Sequence, residues 1–185
     1  MARSLAFAAL LGLLAATAAA GAESAPAKPN DEELLALPWK QFDQTLGSGW
    51  RIYACRKDYA GAARLIETYL ARRTDLTPTQ RAVSHFHAAA ELARENRHQE
   101  ALRHLESAEV VPGSRGVPED WNELVIANRA FLQGDRAALV AAKQRVAAMH
   151  APAFPHSAEQ LLDHLGERYG SWDDEATAAG CESAR

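Results

Sequence analysis

Seven histidines and two cysteines carry most of the reactive chemistry available to this chain. The histidines are His85, His87, His98, His104, His150, His156 and His164. A metal site on a helix needs ligands three or four residues apart on one face. No two histidines have that spacing, and His85 and His87, two apart, diverge on a helix. His87 and Glu91 have the spacing of a ligand pair but offer only two ligands. No metal or other cofactor is therefore expected. Ser48 stands between Gly47 and Gly49, yet the strained G-x-S-x-G elbow is absent. HExxH, phosphate-loop and dinucleotide-binding patterns are absent too. Nothing local lowers the pKa of Cys55 toward that of a nucleophile. The carboxylates read as solvated helix faces, so no catalytic set is expected.

Cys55 and Cys181 are the only two cysteines. In an oxidising compartment such a pair makes one disulfide, here between the first hairpin and the tail. The alternative is a buried Cys55 with a free thiol in the tail. The first residues decide which compartment applies. Arg3 supplies a positive start, an apolar run follows from Leu5 to about Ala16, and Ala20-Gly21-Ala22 offers small residues for cleavage before Glu23. Ala18-Ala19-Ala20 is a second acceptable site. Residues 1–22 thus read as a secretory signal peptide, and the run is too short and Ala-rich to favour spanning a bilayer. The expected destination is secreted or periplasmic.

The formal net charge of −4 gives no electrostatic reason to bind nucleic acid or an anionic membrane. Ala, Leu, Arg and Glu dominate, all good helix formers, and no segment alternates with period two. The expected fold class is all-α. Residues 23–30 read as a flexible linker, 31–170 as the helical domain and 171–185 as an acidic tail.

Helix signals punctuate that domain. Asn30 can cap a short helix that stops near Pro38. Trp39 to Leu46 is ambiguous, and Ser48 can cap a short helix from about Gly49 to Lys57. Beyond Asp58, residues Ala62, Leu65, Ile66, Tyr69 and Leu70 form one helical face. Thr77-Pro78-Thr79-Gln80 combines a Thr cap, Pro at the first helical position and a capping box. That helix ends near Asn96, which tolerates a left-handed turn. Pro118, Glu119 and Asp120 form a favourable acidic first turn for the helix carrying Trp121, Leu124, Val125, Phe131 and Leu132. Gly134 ends it and Asp135 caps the next. Ser157 to Gln160 reads as a second capping box, opening a helix to about Tyr169.

Three tight turns end at Ala62, Ala101 and Leu139, spaced 39 and 38 residues apart, each between two apolar-striped helices. Hairpins that cannot bury their faces alone stack on one another. The unit from Ala82 to about Arg115 resembles a tetratricopeptide repeat. Ala89, Ala101 and Ala108 stand at its small positions, Leu92 and Leu105 at larger apolar ones, and Pro112 lies near its closing proline. Departures are His85 at the usual large residue, Asn96 in place of the turn glycine, and a spacing longer than the family's roughly 34 residues. The resemblance extends loosely over Gly49 to Met149 and implies a superhelix of about three hairpins with short capping helices.

In that family the first helix of each hairpin lines a concave groove that binds extended peptides or partner helices. By resemblance the groove here comprises Arg51, Phe86, His87, Arg94, Trp121, Leu124, Asn128 and Phe131, with Asn128 where an asparagine can bond a peptide backbone. The family's carboxylate-binding lysine is replaced by Leu124. The competing reading makes Trp121, Leu124 and Phe131 plain core under a terminal helix. The resemblance implies a monomeric, non-catalytic module with a protein or peptide partner in the cell envelope. The alternatives are a small-ligand binder or hydrolase using the same groove, and a structural accessory factor. N-terminal sequencing of secreted material should find Glu23 or Gly21 first; Met1 would contradict the signal reading.

Overall fold

Pro and Thr at the head of an apolar-striped run set the longest helix among the described residues. In the computed structural model, which describes residues 30–172 and Cys181, α4 spans Pro78–Arg94. The Thr77 hydroxyl accepts from the Gln80 amide, and the Gln80 side chain accepts from the Thr77 amide, satisfying two otherwise orphaned donors. The helix gives way to a turn in which Asn96 takes φ 58°, a left-handed value that asparagine tolerates. Next comes α5, His98–Ala108.

The same logic builds the other elements. Asn30 caps α1, Asp31–Leu35, and Asp58 caps α3, Tyr59–Arg72. After α6, Trp121–Gln133, comes Gly134 at φ 70°, and Asp135 then caps α7, Arg136–Ala147. Between α1 and α3 lie a π-helical turn, Lys40–Gln44, and the short α2, Arg51–Ala54. The last helix is α8, Ser157–Asp163. The described residues are all-helical, without a strand. No helix among them is long and apolar enough to cross a membrane.

Helices adjacent in sequence pack as partners: α2 with α3, α4 with α5, α6 with α7, and α8 against both α6 and α7. Helices α3 and α4 join the first pair to the second. The apolar interior falls into three clusters. One gathers Leu35, Phe42, Trp50 and the α3 residues Leu65, Ile66 and Tyr69. The second joins α4, α5 and α6 through Ala89, Leu92, Leu105 and Val125. The third joins α6, α7 and α8 through Phe131, Leu139 and Leu161.

Several expected boundaries differ. The segment from Gly49 to Lys57 is helical only over Arg51–Ala54, and Ser48 does not cap it. Gly49 takes φ +54°, and a Cβ there would lie 1.9 Å from the Phe42 carbonyl oxygen, so this loop is shaped by close backbone approach. Asp120 is not a solvated first-turn acid. It is fully buried and accepts from the amides of Ala153 and Phe154, pinning the loop before α8 to the head of α6. Ser157 does not form a capping box, and α8 stops at Asp163 rather than near Tyr169. The signal segment 1–22, the linker up to residue 29, and the tail apart from 171, 172 and Cys181 lie outside the described residues. Cys181 is bonded to Cys55, with Cα atoms 5.4 Å apart.

Ala101 is fully buried where α5 meets α4. Ala101→Leu should overpack that contact and cost about 1–3 kcal/mol, read as a lower denaturant midpoint with an unchanged slope.

Candidate functional site

Along α4, the polar residues Ser84, His87, Glu91 and Arg94 recur at helical spacing on one face. The face is turned toward the π-turn and α2, and its centre is a carboxylate. Asp43 is fully buried. It accepts from the Gln44 amide at 2.5 Å, from the Ser84 hydroxyl at 3.1 Å and from His87 Nδ1 at 3.0 Å. The Trp39 indole donates to the Ser84 oxygen at 3.0 Å, which turns the serine proton toward Asp43. Burial pushes the Asp43 carboxyl up; His87, Gln44 and Ser84 together pull it below its ordinary range. Arg51 donates from Nε to the Asp43 carbonyl at 3.1 Å and lies over the Trp50 ring, 4.3 Å from its centroid. Trp50 in turn packs on the His87 ring at 5.2 Å.

Glu91 completes this face. It is 4 % exposed, and its Oε2 has no hydrogen-bond partner among the described residues. Burial pushes its carboxyl up to about 7, against the opposing pull of Arg94, His87 and Arg51. The Trp50 indole nitrogen is likewise buried without an acceptor.

Of the residues expected to line a groove, Arg51, Phe86, His87 and Arg94 are all partly exposed. The rest are not. Trp121, Leu124 and Phe131 are buried, and Asn128, expected to be exposed, is only 4 % so. The reason is the chain's own C-terminal segment. Phe154 packs on Trp121, and Tyr169 and Trp172 pack edge-on against Phe131. The Tyr169 hydroxyl donates to Asn128 Oδ1 at 2.5 Å, while Asn128 Nδ2 donates to the Leu124 carbonyl. Gly170 runs so close to Arg94 that a Cβ there would sit 3.1 Å from Nε. A cavity of 130 Å³ remains between Phe86, Leu124, Gln160 and Trp172.

His85 and His87 point to opposite sides of α4. His85 Nδ1 lies 2.9 Å from His104 Nδ1, whose ring reaches Glu67 Oε1 through Nε2 at 3.2 Å. Among the described residues no group of three His, Cys, Asp or Glu could hold a metal ion. Ser84 spends its proton on Asp43 rather than on a histidine, so the serine, histidine and carboxylate here make an orienting network, not an activated nucleophile. Asp43 and Glu67 escaped the sequence reading, while Glu91 entered it only as a spacing partner of His87 and His104 only as one of seven histidines. Only the α4 stripe left a signal, since polar residues at 84, 87, 91 and 94 interrupt a helix otherwise rich in alanine.

No protein-family model matches this chain. No curated protein matches it, and neither does any solved structure.

Glu91 and His85 titrate in opposite senses. Folding raises Glu91 from 4.5 to about 7, so the folded state holds the extra proton and stability falls as pH rises across that range. Folding lowers His85 from 6.5 to about 4, so the unfolded state holds the extra proton and stability rises between those values. The two slopes offset each other between about pH 4.5 and 6.5. Glu91→Gln removes one of them while keeping the shape. The melting temperature of the variant should climb relative to the parent across this window and onward to pH 7. Relative to its value at pH 4.5, the stability difference should shift in the variant's favour by about 3 kcal/mol by pH 8. Thermal unfolding from pH 4.5 to 8 reads this directly; parallel curves would contradict it.

Proposed function

We propose that this chain is a non-catalytic protein-binding module of the cell envelope, a tetratricopeptide-like stack of three hairpins whose first helices share a concave face. The observation that carries the reading is the path of residues 154–172. This segment, which includes α8, packs on α6, with Phe154 and Tyr169 against Trp121 and Phe131 and a side-chain hydrogen bond to Asn128. A surface that accommodates one polypeptide segment in this way has the apolar floor and polar rim that peptide recognition requires. The part of the face toward α2 keeps Arg51, His87 and Arg94 partly exposed beside Phe86. A partner segment would engage there. The signal-like N-terminus favours an encounter outside the cytoplasm, and the Cys55–Cys181 bond suits that compartment.

A photo-crosslinking amino acid at Phe86 should yield a discrete adduct in envelope extracts of the source organism. The same group at Val140, an exposed position on α7, should yield none. Equal adducts from both positions, or none from Phe86, would contradict a groove at this face.

A further inference from the structure

Residues 164–172, which follow α8, form no helix. They turn at Gly166 and Gly170, whose φ values of 100° and 73° suit glycine. Among the described residues, their backbone-to-backbone hydrogen bonds run to one another and to α8, and none runs to α4 or α6.

Side chains hold the segment instead. Tyr169 packs against both the second and the third apolar clusters. It stands at the crevice between the first helices of two hairpins, with Phe86 and Ala93 of α4 on one side and Asn128 and Leu132 of α6 on the other. Trp172 lies against Phe131 and stacks flat on His164 at 4.6 Å. Two aromatic rings thus close the crevice.

The segment is fixed at both ends. At one, α8 packs on α6 and α7. At the other, Cys181 is bonded to Cys55, which directly follows α2. Both cysteines are partly exposed, so a thiol can reach the bond. About 18 residues separate the end of α8 from Cys181. A stretch tied at both ends gains little chain entropy by lifting off, and one tied at a single end gains far more. In the chain-entropy model a loop of this size shifts such an equilibrium on the order of a hundredfold.

We propose that residues 164–172 are a redox-released strap. Reduction of Cys55–Cys181 frees Tyr169 and Trp172 from the crevice and uncovers Asn128 and Phe131. The reductant is a dithiol. One of its thiolates attacks a sulfur of the bond and forms a mixed disulfide, and the displaced cysteine leaves as a thiolate that takes a proton. The second thiol of the reductant then attacks the mixed disulfide. Two cysteine thiols remain on the chain, and the dithiol departs as its own disulfide, having supplied both electrons. The release is a property of this chain alone. That the uncovered crevice then takes a partner segment rests on the protein-binding reading.

Hydrogen–deuterium exchange of the full chain tests the release, with dithiothreitol as the dithiol. It should open the bond without denaturant. Exchange of residues 164–172 should then rise at least tenfold, while that of α3 stays unchanged. Cys181→Ser should give the same pattern without any reductant, and the reduced parent keeps the test valid if that variant folds poorly. A bond that opens only in denaturant, unchanged exchange of 164–172, or an equal rise in α3 would overturn the strap. None of these measurements needs a partner, so such a failure leaves the protein-binding reading intact. With the photo-crosslinker at Phe86, the adduct yield should rise when the bond is absent. A yield indifferent to the bond would overturn the regulatory role. No adduct from either form would overturn the protein-binding reading, and the regulatory role with it, but not the strap.

Discussion

The buried carboxylate of Asp43 holds together the part of the molecule that has no regular helix to rely on. An isolated charge in an apolar interior is costly, and it persists only where hydrogen bonds replace its water. Gln44, Ser84 and His87 supply them, two of the three from a helix more than forty residues away. The arrangement is directional. Trp39 fixes the serine proton, the serine proton fixes one carboxylate oxygen, and the histidine takes its orientation from the carboxylate. With Asp43 placed, its neighbour Phe42 stacks flat on Tyr69 at 3.7 Å, and the Phe42 backbone fits against Gly49. The N-terminal cap is thereby joined to α3 and α4 at once. Removing any one donor would leave charge unsatisfied in the interior, at a cost larger than a typical surface contact.

The opposite end of the stack solves a different problem. A hairpin array exposes an apolar face wherever it stops, because the next hairpin is missing. Here α8 and the segment after it cover α6 and α7, bringing Leu161, Phe154, Tyr169 and Trp172 onto that face. The disulfide then links this terminus to the start of the stack across a sequence separation of 126 residues. In the chain-entropy model a loop of that length contributes about 5 kcal/mol by restricting the unfolded chain. The same segment both seals the core and buries Trp121, Phe131 and Asn128 of α6.

What could be read from the sequence follows from how far apart the interacting residues are. The Thr77–Gln80 box, the Asp58 and Asp135 caps, the left-handed Asn96 and Gly134, and the apolar stripe of α3 are local. They act over three or four residues, and each reappears in the structure. Asp120 illustrates the limit. Its position ahead of Trp121 fits a solvated acid at a helix N-terminus, yet its partners are amides more than thirty residues onward. Asn128 shows the same limit at the candidate site. A polar residue on a first-helix face reads as exposed until a tyrosine forty-one residues later is brought onto it. Asp43 lay in a stretch with no clear period, so neither its burial nor its partners left a local mark.

His85 and His87 show how one helix can serve two sides with different chemistry. Two residues along an α-helix rotate a side chain by about 200°, so the two rings leave α4 in nearly opposite directions. His87 meets a carboxylate, to which it donates from Nδ1. His85 meets another imidazole, with the two Nδ1 atoms 2.9 Å apart. What lies behind each ring differs. Behind Asp43 stand further donors, Ser84 and Gln44, so the charge is fully embraced. Beyond His104 stands the partly exposed Glu67, and His85 also feels Arg81, which disfavours its cation. One ring is therefore locked into an internal network. The other is kept neutral by burial, His104 and Arg81. Helical geometry separates the two faces, and the partners of each ring decide whether it joins a charged network or stays neutral.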